Sequence, residues 1–122
     1  MMSVKPPPHP TEIRLSDDHH SLVVVFNSGE SFVLAAEYLR VESPSAEVRG
    51  HSPSERKILG GCRQVTINRL EPVGHYAVRI LFSDGHDTGL YSWAYLYELG
   101  HDFDRIWTAY LTALASKGLS RD

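Results

Sequence analysis

The feature that most constrains the fold is the stretch at residues 77–100, which reads AVRILFSDGHDTGLYSWAYLYELG. Residues 77–82 are apolar and β-forming, the triplet SDG at 83–85 has the composition of a tight turn, and residues 88–91 resume the extended pattern. Two extended runs on either side of such a turn predict an antiparallel β-hairpin.

Two helices are predicted after the hairpin. Ser92 is a suitable N-cap for an aromatic helix over residues 93–99, and Gly100 is placed to end that helix in the left-handed conformation. Asp102 is expected to cap a final helix over residues 103–116. Apolar residues recur in it every three or four positions and so form one face, namely Phe103, Ile106, Trp107, Tyr110, Leu111 and Leu114.

The residues before the hairpin predict four further strands and one helix. Residues 12–15, 22–26 and 31–34 are short β-type runs separated by polar turns, which is typical of an antiparallel meander. Residues 35–41 favour a short central helix, and residues 65–72 favour another strand. The sequence therefore predicts an α+β fold: a small antiparallel β-sheet domain of about six short strands with a short central helix and two C-terminal helices.

A long loop with helical turns is predicted over residues 42–61. Ser43 precedes a proline and is expected to cap a first turn that Gly50 closes. Ser52 is expected to cap a second turn, with Glu55 completing a capping box. Loops of this length in compact domains are usually functional or mobile.

Length and composition indicate a single domain over residues 11–118 that follows a proline-rich leader at residues 1–10, which we expect to be disordered. The net charge of −3 argues against nucleic acid or an anionic membrane as the partner. The chain has no run long enough to span a membrane and no secretory signal. Its single cysteine, Cys62, suits a reducing compartment, so a cytoplasmic location is expected.

The densest polar group is formed by Asp84, His86 and Asp87 at the hairpin tip. A carboxylate beside an imidazole can orient its tautomer, as it does around metals, or the same residues can cap backbone groups of the turn. Cys62 is either a reactive thiol, activated by the adjacent Arg63, or a small buried side chain. Motifs for zinc, nucleotide or nucleophilic chemistry do not occur.

Three stretches resemble one family. They are PTEIRL at residues 10–15, YLR at 38–40 continued by SPSAEVRGH at 43–51, and DGHDTGLYSW at 84–93. Together they are similar to the gamma-butyrobetaine hydroxylase N-terminal-like domain, a domain of unknown function. The chain resembles a stand-alone bacterial-type member of that family.

The resemblance carries implications for cofactors. In the full hydroxylases this domain precedes an iron- and 2-oxoglutarate-dependent catalytic domain, for which this chain is too short. Their small domain also holds a structural zinc with three cysteines and one histidine. His86 matches the histidine, but the cysteine positions fall on Ser43, Ser45 and Val48. We therefore expect no cofactor, and expect His86 to fix the hairpin against the loop at residues 43–51 by hydrogen bonding.

The resemblance also bears on partners, because similar domains occur joined to Mrp/NBP35-type P-loop ATPases that carry iron–sulfur clusters. The leading hypothesis is a non-catalytic accessory module that binds another protein, with such an ATPase as the candidate partner. We expect substitution of Arg49 or Asp87 to weaken partner capture with the fold intact. The expected binding surface comprises Arg40, Ser43, Ser45, Glu47, Arg49, His51, Asp84, His86, Asp87, Tyr91 and Trp93.

Two alternatives stay open. One is a zinc- or iron-binding module that uses His86 with His51, or with another histidine, and a carboxylate. The other is an enzyme that acts on a small molecule through His86 and Asp84, which requires a deep pocket at the hairpin tip.

Overall fold

The computed structural model describes residues 8–122 and confirms the α+β class. The described residues form two three-stranded antiparallel sheets, in the strand orders β1-β2-β3 and β4-β5-β6, and four α-helices. In chain order the elements are β1 Pro10–Leu15, β2 Ser21–Phe26, β3 Ser31–Ala35, α1 Ala36–Val41, α2 Ala46–Arg49, a 3₁₀ turn Pro53–Glu55, β4 Ile67–Val73, β5 Ala77–Phe82, β6 Leu90–Ser92, α3 Trp93–His101 and α4 Phe103–Ser116. Residues 1–7 of the expected disordered leader lie outside the described residues, and Pro10 already belongs to β1.

The core lies between the two sheets and the helices. Alternation along β2 turns Leu22, Val24 and Phe26 inward, each at most 1% exposed, and β5 contributes Ile80 and Phe82 in the same way. Burial of these side chains supplies most of the driving force for folding. None of the helices in residues 8–122 is long and apolar enough to cross a membrane.

Two buried tyrosines connect α1 to the C-terminal half of the chain. The Tyr38 hydroxyl donates to the carbonyl oxygen of Leu99 at 2.7 Å, and the Tyr91 hydroxyl donates to that of Leu39 at 2.5 Å. Both side chains are at most 1% exposed, so each polar tip needs such a partner. Helix α1 is thereby fixed against α3 and β6.

The connection between β5 and β6 is longer than the predicted turn. Phe82 donates its N–H to the carbonyl oxygen of His86 at 3.0 Å, which closes a tight turn around Gly85. The chain then needs residues 87–89 to return, so strand β6 begins at Leu90 rather than at residue 88. We call residues 83–89 the tip.

One of the three predicted N-caps is at the wrong residue, and the other two are in place but form no side-chain cap bond. Helix α2 begins after Ser45, whose hydroxyl accepts from the N–H of Glu47 at 3.2 Å, and not after Ser43. Ser52 caps nothing with its side chain, and Glu55 accepts from the N–H of His51 instead of completing a capping box. Asp102 stands at the N-cap of α4, but its carboxylate contacts neighbouring side chains rather than the helix.

Gly100 does not end α3, which continues to His101. The reason is tertiary, since the Phe32 ring lies against this glycine. A Cβ atom at residue 100 would stand 2.3 Å from Cγ of Phe32. Gly100 therefore permits the close approach of α3 to β3 rather than a left-handed turn.

Replacing Gly100 with alanine is expected to lower the free energy of unfolding by about 1–2 kcal/mol, because overpacking outweighs the gain in helix propensity. In a Phe32→Ala background the same substitution should instead stabilise by up to about 1 kcal/mol. Urea unfolding of the four proteins checks both signs. A stabilised single Gly100→Ala variant would contradict the packing explanation.

Candidate functional site

The long loop at residues 42–61 is joined to the tip by a buried polar contact. The hydroxyl of Ser43 and Nε2 of His86 are 2.9 Å apart, and Nδ1 of His86 lies 3.1 Å from a carboxylate oxygen of Glu47. Ser43 is fully buried and His86 is 6% exposed. The expected hydrogen-bonding role of His86, fixing the hairpin against the loop, is confirmed.

The partners of His86 define its protonation. The carboxylate of Glu47 can only accept, so Nδ1 carries the proton and Nε2 accepts from the hydroxyl of Ser43. Ser43 in turn accepts from the N–H of Ser45 at 3.2 Å. Burial, reinforced by the nearby Arg40 guanidinium, lowers the pKa of His86, so that the ring is neutral at pH 7.

A second set of contacts surrounds this pair. Nε of Arg40 donates to Asp84 at 2.8 Å, and the other carboxylate oxygen of Asp84 accepts from the backbone N–H of His86 at 3.1 Å. The hydroxyls of Ser45 and Thr88 are 2.6 Å apart. The structure thus brings together six of the predicted residues, namely Arg40, Ser43, Ser45, Glu47, Asp84 and His86. We call these six residues and Thr88 the junction.

Arg49 stabilises the loop from its other side. Its guanidinium donates to the carbonyl oxygens of Ser43 at 3.1 Å and Glu42 at 3.0 Å, and also bonds the hydroxyl of Tyr95. The Tyr95 hydroxyl itself donates to the carbonyl oxygen of Glu42 at 2.5 Å. Because Arg49 holds this backbone, we no longer expect its substitution to leave the fold intact.

Besides Arg49, four predicted residues lie outside the junction. Tyr91 is fully buried, and Trp93 donates from its indole N–H to the carbonyl oxygen of His75, at the opposite end of β5 from the tip. His51 is exposed two residues after the end of α2, and the carbonyl oxygen of Asp87 accepts from Arg79 at 3.3 Å. The sequence had predicted that both aromatic side chains belong to the surface around the junction, and neither of them does.

Comparison with known proteins identifies the family. The family model described as Gamma-butyrobetaine hydroxylase-like, N-terminal, matches residues 13–97. The chain belongs to this family. Among curated proteins, none matches the sequence.

Solved structures agree with the family assignment. One solution structure determined by NMR is 45% identical, covers 93% of this chain and 89% of its own, and has a TM-score of 0.79. A second NMR structure is 41% identical, covers 99% of this chain and 90% of its own, and has a TM-score of 0.80. A crystal structure from Acidithiobacillus ferrooxidans is 38% identical, with coverage of 75% of this chain and 91% of its own and a TM-score of 0.63. That protein is described as having unknown function and belonging to the DUF971 family.

The zinc site implied by the resemblance to the hydroxylases does not fit this gamma-butyrobetaine hydroxylase-like chain. Of the three positions that hold cysteines in the hydroxylases, two carry hydroxyls here, on Ser43 and Ser45, and the third carries the apolar, buried Val48. Both ring nitrogens of His86 already have protein partners. In the part of the chain that the structure describes, no three His, Cys, Asp or Glu side chains cluster closely enough to hold a metal ion. A hydrogen-bonded junction occupies these positions instead.

Cys62 is a buried thiol rather than an activated one. It is 8% exposed, and burial raises its pKa. The adjacent Arg63, which the sequence suggested as an activator, pairs instead with Asp122 at 2.8 Å.

Sequence reasoning missed a pocket of about 280 Å³ between the long loop, α3 and α4. Of the predicted residues it includes only Arg49, and its other charged lining comes from Glu42, Arg56, Glu98 and Arg105. The signal in the sequence was weak. Two small residues one helical turn apart, the exposed Ala109 and the half-buried Ala113, lie beside the bulky inner face of α4.

Proposed function

We propose that this protein is a non-catalytic accessory module that binds another protein through the surface where the long loop meets the tip. One observation carries the proposal. A loop of 20 residues with only short helical turns is held in one conformation by buried side-chain bonds, chiefly Ser43 with His86. Such preorganisation reduces the entropy that is lost when a surface of this kind binds a partner.

The chemistry at the junction supports binding rather than catalysis. His86 is buried and both of its ring nitrogens are occupied, so it has no free nitrogen with which to move a substrate proton. Around it, the side chain of Glu47 is 63% exposed and that of Asp84 is 38% exposed. The rim presented to a partner is therefore acidic.

The partner class that we propose is the Mrp/NBP35-type ATPase with an iron–sulfur cluster, in the cytoplasm. The support is the joining of similar domains to such ATPases, given above, together with the acidic rim, which suits a basic patch on the partner. The buried thiol of Cys62 suits a reducing compartment.

Titration calorimetry with the purified, cluster-loaded ATPase of the same organism tests this proposal. Two variants change charge at the surface: Glu47→Gln, which keeps an acceptor for His86, and Asp87→Arg. We expect Asp87→Arg to weaken binding about tenfold or more and Glu47→Gln to weaken it less, since one removed charge at an exposed rim has a modest effect. Asp17→Arg, in the exposed turn between β1 and β2, is the matched control and should bind like the wild type.

Two results would overturn the proposal. Absence of binding between the wild-type proteins at low ionic strength would exclude this partner. Equal losses in Asp87→Arg and Asp17→Arg would show that net charge, and not this surface, determines the affinity.

A further inference from the structure

The pocket beside α4 has an apolar floor and a charged mouth. Ile58 from the loop and Ile106, Ala109 and Ala113 from α4 supply the apolar part of the lining, which we call the floor, and Ala109 lies at its exposed edge. The spacing of the three α4 residues, three and then four positions, places them on one face of the helix. Alanine at positions 109 and 113 leaves room that a longer side chain would fill.

The charges at the mouth are unequal. Arg49, Arg56 and Arg105 face two carboxylates, Glu42 and Glu98, so the lining carries one excess positive charge.

Glu42 is the better neutralised of these carboxylates. Its side chain is only 5% exposed, Arg56 bonds it at 2.9 Å, and Arg49 lies 3.7 Å away. Arg105 is 68% exposed and approaches Asp102, which is outside the pocket, at 3.4 Å. Because that contact is long and exposed, Arg105 is available to a ligand.

Arg56 provides a second indication. Its Nε is shielded from solvent and has no hydrogen-bond partner among the described residues, although Nη2 bonds Glu42. Buried donors are nearly always satisfied in folded proteins. Because this Nε is closed off from solvent, a ligand carboxylate would contact the accessible part of the guanidinium instead, since 28% of the Arg56 side chain is exposed.

We propose that this pocket binds a small monocarboxylate with a short apolar body. The apolar part would lie on the floor formed by Ala109 and Ala113, and the carboxylate would face Arg56 and Arg105 at the mouth. A single excess positive charge suits a monoanion better than a dianion, which Glu98 would repel. This inference does not depend on the proposed partner, since the pocket lies on the α4 side of the loop and away from the tip.

Hexanoate is the probe, and the isosteric, neutral hexanamide is its control. We expect hexanoate to shift the methyl NMR signals of Ala109 and Ala113 in the 122-residue chain, with saturation, and hexanamide to bind about tenfold or more weakly. Ala109→Leu, which fills part of the pocket, should weaken hexanoate binding about tenfold, whereas Ala115→Leu, on α4 but outside the pocket lining, should not change it.

A charge variant completes the test. Arg105→Gln should weaken hexanoate binding about three- to tenfold and leave hexanamide unaffected, and the matched Arg14→Gln on β1 should change neither. Equal binding of acid and amide would overturn the proposal, as would hexanoate binding that persists in Ala109→Leu. Absence of any methyl shift at millimolar hexanoate would overturn it as well. None of these measurements involves the partner protein, so the two proposals fail separately.

Discussion

Replacing His86 with alanine is expected to lower the free energy of unfolding by about 2–4 kcal/mol. The substitution leaves a cavity where a 6%-exposed ring was packed, and it deprives the fully buried hydroxyl of Ser43 of its acceptor. The loop then loses its main attachment to the tip. Proton exchange of the loop amides should therefore accelerate more than that of the strands.

Urea unfolding of three proteins checks this expectation. His51→Ala is the matched control, because its ring is exposed in the middle of the long loop and should contribute less than about 0.5 kcal/mol. His86→Gln keeps one hydrogen-bonding group and should lose less stability than His86→Ala. If His86→Ala and His51→Ala were equally stable, the junction would not be what holds the loop.

The same histidine predicts a pH dependence of stability. Burial, followed by the Arg40 charge, lowers the pKa of His86 from its ordinary value of 6.5. As the pH falls below about 6.5, the unfolded chain takes up this proton before the folded protein does, so the free energy of unfolding decreases. The decrease ends once the pH is below the folded-state pKa. Between pH 7.5 and 5.5 the wild type should lose more stability than His86→Gln, and equal losses would contradict the lowered pKa.

Local patterns in the sequence were sufficient for most of the elements. Strand β5 and helix α4 have the predicted bounds, because a period of two or of 3.6 and flanking turn residues identify such elements without tertiary information. Gly100 shows the limit of this reasoning. A glycine after an aromatic helix is typical of a C-cap, yet its role here depends on Phe32, a residue far away in the sequence.

The candidate site was predictable only in part, and for a similar reason. The family motifs placed Ser43 and His86 together correctly. Tyr91 and Trp93 were misplaced because their exposure depends on strand register: Tyr91 pairs with Val78 and turns inward, while Trp93 follows the pairing of Ser92 with Ala77 at the far end of β5. No local pattern reports such a register.

Replacing Arg121 with alanine is expected to lower the free energy of unfolding by about 2–3 kcal/mol. This is less than the usual loss when a buried ion pair is broken, because a third of the Arg121 side chain is exposed. Its guanidinium bonds both carboxylate oxygens of Glu37, at 2.9 and 2.7 Å, and lies over the ring of Trp107. The side chain of Glu37 is only 7% exposed. Without Arg121 this buried carboxylate would lose the partner that compensates its charge.

The backbone of the C-terminal segment adds to this contact. Gly61 donates its N–H to the carbonyl oxygen of Ser120 at 2.9 Å, and Arg63 donates to that of Arg121 at 3.1 Å. Loss of the Arg121 side chain should therefore loosen the end of the long loop too. Arg63→Ala is the matched control, since its pair with Asp122 is exposed and should contribute less than about 1 kcal/mol.

A double-mutant cycle separates the ion pair from simple packing. Glu37→Met removes the buried charge and keeps a similar volume, so Arg121→Ala should cost much less in that background than in the wild type. We expect a coupling of about 1–2 kcal/mol between the two positions, measured by urea unfolding at pH 7. Equal effects of Arg121→Ala in both backgrounds would assign its contribution to the stacking on Trp107. The pair, formed between residues 84 positions apart, would then be dispensable for holding the C-terminal segment against α1.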